Sequence, residues 1–294
     1  MQISDLTAKG VNVAGLKAVV SKMDTKTAGN GKEYIAGTLM DLSGVIGFKV
    51  WDNIPLMSKL LETGNAVEVK AGVTDEYQGT VSVKLASVTQ LPQEQAKELV
   101  QCAPVPYEEL EAKIIQAFTD MGIAEAVDRL KTLGIWDTYM LIPAARMHHH
   151  AYLHGLLQHT LEVYEWAMMT ADMQATYHGL QLDKQVIGIA ALLHDIGKIR
   201  EYDVSPLGLL TGFNRHGELL GHHYMSAKIA TKVLSKLVTA EQIEEIEHCI
   251  LSHHGRLEWG AAIVPKTPYA MIVHLADMAS SQPVSAKDEP TPLY

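Results

Sequence analysis

A small all-β barrel followed by an all-α helical bundle is the fold class that the sequence predicts, on three observations. Short β-branched runs punctuated by turn residues fill positions 13–88, whereas helical spacing of apolar residues takes over from Leu110. All fourteen histidines lie between His148 and His274, so the two parts differ in chemistry as well as in pattern. With 294 residues and 47% hydrophobic content, the chain is long enough for two separate cores. The predicted organisation is a barrel over 1–92, a linker over 93–106, a helical domain over 107–280 and a disordered tail over 281–294.

Five runs, at 16–20, 34–40, 45–51, 66–70 and 80–85, read as strands, with Asn30-Gly31 and Ser43-Gly44 among the turns between them. Positions 54–61 read as one short helix between the third and fourth strands. Five strands with a helix in that place fit an oligonucleotide/oligosaccharide-binding (OB) barrel. The stretch from Asn30-Gly31-Lys32-Glu33-Tyr34 through Asp41-Leu42-Ser43-Gly44 to Lys49-Val50-Trp51-Asp52 resembles the first strands of nucleic-acid-binding OB folds. That resemblance implies a single-stranded nucleic-acid partner, with Tyr34 and Trp51 as stacking rings and Lys49, with Lys32, for phosphates. Strand aromatics are more often core than platform, and Phe48, alternating with Ile46 and Val50, is weighted to the core.

Pro92, Pro104 and Pro106 mark the linker. Beyond it, Leu110, Ile114, Ile115 and Phe118 recur at helix spacing, and a helix over 123–133 closes at Gly134. Further helices are predicted at 155–173, 184–198, 218–237, 241–252 and 268–278, the fourth of these opened by the capping-box pair Thr239 and Gln242. No strand is predicted between 107 and 280.

The net charge of −10 is uneven, because residues 1–92 balance nine Lys against nine acids while the remainder holds 15 basic and 25 acidic residues. An acidic second half argues against simple electrostatic capture of nucleic acid, and bound divalent cations would offset part of it. The N-terminus lacks the basic start and apolar core of a signal peptide and no run reaches membrane-spanning length, so a cytoplasmic protein with no membrane partner is expected. Cys102 and Cys249 are read as two buried thiols. Self-association into a homo-oligomer is left open.

The stretch Leu192-Leu193-His194-Asp195-Ile196-Gly197-Lys198 closes an uncharged run beginning at Val186. Imidazole and carboxylate in such a segment need partners, and either a buried His-Asp pair or a metal ion supplies them. On a continuous helix Lys198 would face the same pocket. His159, His194-Asp195, His222 or His223, His253 or His254, and Asp277 fall on successive predicted helices, as when a bundle assembles a metal site in its interior. Imidazole and carboxylate without thiolate suit Mn, Fe, Co, Ni or Zn.

The order His159, His194-Asp195 and Asp277, with Gly155-Leu156-Leu157-Gln158-His159-Thr160, resembles the HD-domain metal phosphohydrolases across about 148–280. The resemblance implies metal ligation by those four residues. In the subset that binds two ions it adds His222 and His253, with His223 and His254 as possible substitutes. An OB-like front, His149-His150, Leu251-Ser252-His253-His254-Gly255 and Trp259-Gly260 together resemble the YhaM-type exoribonucleases along nearly the whole chain. That family implies divalent-metal-dependent 3′-to-5′ removal of nucleotides from single-stranded RNA, sometimes DNA, and two ions are expected, manganese first. In such a site Asp195 is expected to bridge the ions and Lys198 to stabilise transition-state charge, and His149 and His150 are read as the edge of the active site. Gln158 and His154 depart from the family's usual Glu and Gly. Two rivals are an HD phosphohydrolase of free nucleotides, weakened by the OB-like front, or of cyclic dinucleotides, weakened because no Gly-Tyr-Pro follows His254, and a non-catalytic nucleic-acid-binding module.

Overall fold

A computed structural model of the chain describes residues 1–145, 150–205 and 207–288, with the side chains at 93, 94 and 284–288 left out. The chain divides into two compact units, residues 1–101 with 204–211 and residues 102–203 with 212–294.

The first unit is a closed barrel. Its strands are β1 (Asn12–Val13), β2 (Leu16–Thr27), β3 (Glu33–Asp41), β4 (Gly44–Val50), β5 (Ala66–Tyr77) and β6 (Thr80–Gln90), with helix α1 (Ile54–Leu60) between β4 and β5. The sheet order β1-β5-β2-β3-β4-β6, closed by the β5–β6 pairing, makes a five-stranded barrel with β1 added to β5. β4 and β6 run parallel, with Phe48 opposite Val83, and the other ladders are antiparallel. This is the OB arrangement expected. Alternation places Leu16, Ala18, Val20, Ile35, Leu39 and Phe48 inward, and Met57 and Leu61 close one end. Phe48 is therefore core. β2, β5 and β6 run well past the apolar runs that announce them; the outer end of β2 is polar and is held by pairing, as where Lys26 faces Tyr34, while the extension of β6 still buries Val88.

The stretch expected as a linker instead holds a short helix, α2 (Gln93–Lys97), where Ala96 and, just beyond, Val100 are buried. Apolar side chains at those two positions dock it despite the flanking prolines. The second unit contains α3 (Tyr107–Asp120), α4 (Glu125–Thr132), α5 (Trp136–Leu141), α6 (Gly155–His178), α7 (Lys184–Leu193), α8 (Lys198–Glu201), α9 (Arg215–Leu234), α10 (Ala240–Ser252) and α11 (Pro268–Asp288). The capping box at α10 forms as expected, Thr239 Oγ1 accepting from the Gln242 amide at 3.2 Å and Gln242 Oε1 from the Thr239 amide at 3.0 Å.

Three expectations are corrected. β7 (Tyr202–Val204) and β8 (Leu210–Phe213) pair with one another inside the nominally all-α half. They are too short to leave a periodic signal. The final helix continues to Asp288 through Pro283, where a disordered tail was expected from Ser281; Ser280 and Ser281 are buried, which ties the chain down past the point where composition turns polar, and residues 289–294 of that expected tail lie outside the described residues. Cys249 is buried but Cys102 is exposed. Among the described residues no helix is long and apolar enough to cross a membrane.

Candidate metal centre

The centre is built at helix ends. α7 is capped by Asp183, whose side chain accepts from the Gln185 amide at 3.0 Å, and every residue from Val186 to Leu193 is buried. Each buried Val, Leu or Ile contributes roughly 1.5–3 kcal/mol, so one helix can offset the desolvation of the polar turn that follows it. The helix stops at Leu193. His194 is its C-cap, residues 194–197 form a turn, and Lys198 begins α8, so the pocket is shared without one continuous helix. Leu192 O, left over at that helix end, accepts from the Tyr139 hydroxyl at 2.8 Å.

Two glycines let the chain close around this turn. A Cβ on Gly197 would stand 2.2 Å from His222 O, so only glycine allows α9 to approach. Gly221 has φ +66° and ψ 163°, which breaks α9 and starts a second helical segment at His222. Glu201 then accepts from both the His222 amide and His222 Nδ1, each at 3.0 Å, capping that segment and fixing the ring.

Asp195 lies at the middle. Its Oδ1 is 3.5 Å from His222 Nε2 and 3.6 Å from His253 Nε2. Its Oδ2 is 3.4 Å from both His159 Nε2 and His194 Nε2, and 2.7 Å from Lys198 Nζ. His159 Nε2 is also 3.2 Å from Asp277 Oδ1 on α11. The geometry therefore gathers His159, His194, Asp195, Lys198, His222, His253 and Asp277, all seven expected at the centre. His223 and His254 join His222 and His253 in one four-imidazole group, while His159, His194 and Asp277 form another. Only His222 and His253 of those four imidazoles contact Asp195 at the distances above.

The orientation of the rings shows what they can hold. His194 Nδ1 donates to Ala191 O at 2.8 Å, His253 Nδ1 to Ile250 O at 2.7 Å and His254 Nδ1 to Trp259 O at 3.0 Å. A carbonyl only accepts, so each of these rings carries its proton on Nδ1 and turns an Nε2 lone pair inward. His159 Nδ1 is 2.9 Å from Ser280 Oγ, and that hydroxyl donates to Glu162 Oε2 at 2.7 Å, which sets the same tautomer. His159 Nε2 and His194 Nε2 then stand 3.2 Å apart. Two lone pairs so placed call for a cation or proton between them. Asp195 Oδ1 and the Nε2 atoms of His222, His223 and His253 are buried with no hydrogen-bond partner. Buried acceptors of that kind are costly unless a cation satisfies them, so the residues present fit a divalent metal.

The electrostatics agree. Burial opposes the charge on Asp195, but Lys198 and His194 hold its carboxyl well below the usual range, and Asp277 is likewise held low against burial by His159. Burial first, then the neighbouring imidazoles, pushes His254 down to about 3 and lowers His223 and His253, keeping them neutral as ligands must be. Burial would lower His159 too, yet Asp195 and Asp277 raise it to about 9, so in the metal-free protein a proton takes the place of a cation there.

A cavity of about 330 Å³ opens onto Asp195 and Lys198, flanked by Tyr202 and Trp259. His150, expected at the substrate edge, is instead 2% exposed, with Nε2 3.1 Å from Glu162 Oε2, and so braces the Glu162-Ser280-His159 chain. His149 lies outside the described residues. Glu162, Ser280 and Glu201 were not foreseen. The first two stand three residues after His159 and Asp277 on their helices, a same-face spacing that could have flagged them. Glu201 has no such signal.

In the barrel, Tyr34 and Trp51 stack on one another at 4.5 Å, half-buried, and Lys49 Nζ sits 5.9 Å from the Tyr77 ring, which is 68% exposed. Lys32 is paired with Asp52 at 3.2 Å. Tyr77 is an addition to the expected set.

Residues 156–280 match the HD domain family. The chain is 29% identical over 263 residues to a Bacillus velezensis protein named 3'-5' exoribonuclease YhaM, covering 87% of this chain and 81% of the relative. A Listeria innocua protein of the same name is 28% identical, covering 86% of this chain and 80% of its own. Among solved structures, the OB domain of a Methanosarcina mazei protein is 30% identical, covers 30% of this chain and 80% of its own and has a TM-score of 0.26. The HD domain of the Listeria monocytogenes phosphodiesterase PgpH is 18% identical, covers 46% of this chain and 69% of its own and has a TM-score of 0.28.

Proposed function

Because the chain carries an HD domain and is similar along 87% of its length to relatives named 3'-5' exoribonuclease YhaM, we propose that it is a divalent-metal-dependent hydrolase that removes nucleotides from the 3′ end of single-stranded RNA. The observation that carries the metal dependence is the buried set of Nε2 and carboxylate atoms converging on Asp195, four of them without a hydrogen-bond partner.

A bound divalent ion supplies Lewis-acid polarisation and brings the pKa of water from about 16 toward about 7. His159, His194 and Asp277 are the residues that would hold one ion, and His222 and His253, with His223 or His254, the other. Asp195 offers one oxygen to each group. Glu201 and the Ser280-Glu162 pair hold His222 and His159 in the ligating tautomer. Lys198, its ammonium on Asp195 Oδ2 and its side chain in the cavity wall, brings positive charge to where a scissile phosphate sits. Hydrolysis forms a bond from a water oxygen to phosphorus and breaks the bond from phosphorus to the O3′ of the preceding nucleotide, which takes up a proton. Tyr202 and Trp259 can flank the terminal base. The barrel, through Tyr34, Trp51 and Lys49, is the proposed holder of the strand. Mn²⁺ is the first metal to test, ahead of Fe²⁺, Co²⁺, Ni²⁺ and Zn²⁺.

Single-stranded RNA labelled at its 5′ end, incubated with Mn²⁺, should yield a shortening ladder. Asp195→Asn should slow it by roughly 10³-fold or more, with metal content falling alongside. Metal-loaded wild type that leaves RNA intact while hydrolysing free nucleotides would replace this substrate, and a variant as fast as wild type would remove Asp195 from the chemistry.

A further inference from the structure

The short helix α8 borders two cavities. Lys198 and, just past its end, Tyr202 line the metal pocket, whereas Arg200 lines a second cavity of about 350 Å³. Ile135 and Met225 form its apolar floor, Tyr224 stands at its wall 48% exposed, and Lys228 and Lys232 project from α9 at the rim. Lys228 Nζ is 6.0 Å from the Tyr224 ring. An adjoining cavity shares Leu133 and Lys232 and adds Lys236 and Arg129. Arg129 is committed, donating to Val233 O at 2.9 Å and Ser235 O at 2.6 Å. The others are not: among the described residues no ion pair engages Arg200, Lys228, Lys232 or Lys236, and no carboxylate lines either cavity.

That grouping runs against the composition around it, since residues 93–294 hold 15 basic and 25 acidic side chains. Lys228 and Lys232 stand four residues apart on α9, where like charges repel one another along a helix, and Lys236 follows just past its end. Cations near a helix C-terminus complement its dipole, which accounts for Lys232 and Lys236 but not for Arg200 on another helix, nor for an exposed Tyr ring beside an apolar floor. Cations without carboxylate partners next to an accessible aromatic face match the needs of a nucleotide, whose phosphate takes the charge and whose base takes the ring.

We propose that this cavity is a second binding site for nucleoside phosphate, with the phosphate on Lys228, Lys232 and Arg200 and the base on Tyr224. It rests on the proposed action on RNA and extends it: the occupant is an upstream nucleotide of the same strand, held apart from the cleavage centre. A free mononucleotide has the same chemistry, and the arms of the test separate the two.

The test uses the full chain in the Asp195→Asn background, so that binding is read without turnover and against the same reduced metal content in every arm. Labelled single-stranded RNA is titrated against this protein and against the same protein carrying K228Q and K232Q. The two exposed substitutions should weaken RNA binding about 10-fold at low salt and make the slope of log affinity against log salt shallower by about 1.4, the loss of two phosphate contacts on a single strand. Lysine acylation read by mass spectrometry gives the source. Protection of Lys228 and Lys232 by RNA alone assigns the strand, and protection by a mononucleotide as well assigns a nucleotide site; both support the proposal. An unchanged salt slope with no protection by either ligand overturns it. Dinucleotide turnover by K228Q/K232Q with Asp195 intact should equal wild type, and absence of turnover in wild type itself would count against the nuclease reading while leaving these binding measurements interpretable.

Discussion

The metal centre and the barrel face treat their polar groups in opposite ways. At the centre the ligands are buried apart from a partly exposed Asp277, and every ligating ring of His159, His194, His222 and His253 has its Nδ1 held by a carbonyl, hydroxyl or carboxylate. On the barrel, Tyr34 and Trp51 are half-buried against each other and Lys49 lies near an exposed ring. The difference is that between a site that must fix atoms to tenths of an ångström and one that needs only rings and charge at about the right height. Cutting demands the first kind, and holding a strand of any sequence permits the second.

Breaking one orienting bond at the centre should therefore have a larger effect than removing a whole ring from the barrel. Glu201→Gln leaves His222 in place but weakens the acceptor on its Nδ1, and is expected to lower metal affinity by roughly 10- to 100-fold; metal titration followed by calorimetry, with RNA turnover restored at high Mn²⁺, checks it. Should Glu201→Gln bind metal as wild type does, the ring is fixed by packing alone. Next in size, Tyr34→Ala together with Trp51→Ala should weaken long RNA by about 10-fold or more, since a base stack contributes on the order of 1–3 kcal/mol, while dinucleotide turnover stays unchanged. Equal loss on both lengths would show that the barrel serves the centre rather than the strand.

The smallest effect belongs to the barrel surface. Asp75, on β5, is held at about 2 by Lys84 and then Lys9. A carboxylate depressed in the folded state adds stability above its unfolded pKa of about 4 and loses it as pH falls toward about 2. Asp75→Asn should remove that slight acid-sensitive increment between those limits, and acid titration of the barrel signal should show it. A steep change there would mean that this exposed pair carries more than screened charges can.

The same contrast governs what could be read from the chain. His159, His194-Asp195 and Asp277 were legible because few residue types bind a divalent ion, so their kind and order survive wide separation in sequence. His222 against His223, and His253 against His254, were not separable by residue type; the Nε2 distances of His222 and His253 to Asp195 favour the first of each pair. Glu201 was hidden because its partner meets it only through the break at Gly221. In the barrel, alternation showed five strands but not their ends, since the outer part of β2, from Asp24 to Thr27, carries no apolar side chain of its own. Buried Ala96 and Val100 were likewise invisible beneath three prolines, and the β7 and β8 pair was shorter than any period can reveal.

His194 and His253 cap α7 and α10, His222 follows the break in α9, and His159 lies in the second turn of α6. The helices thus meet at the centre with their ends and keep most of their length for packing. Such a scaffold tolerates change unevenly along each rod. Residues inserted in the outer part of α6 would lengthen it while His159 stays where it is, whereas one residue inserted in α7 just before His194 would turn His194 and Asp195 by about 100° about the helix axis and take both away from the other ligands. Change at the far ends of the rods therefore leaves the ligand set in place, and the turn after α7 is where the reading frame of the chemistry is kept.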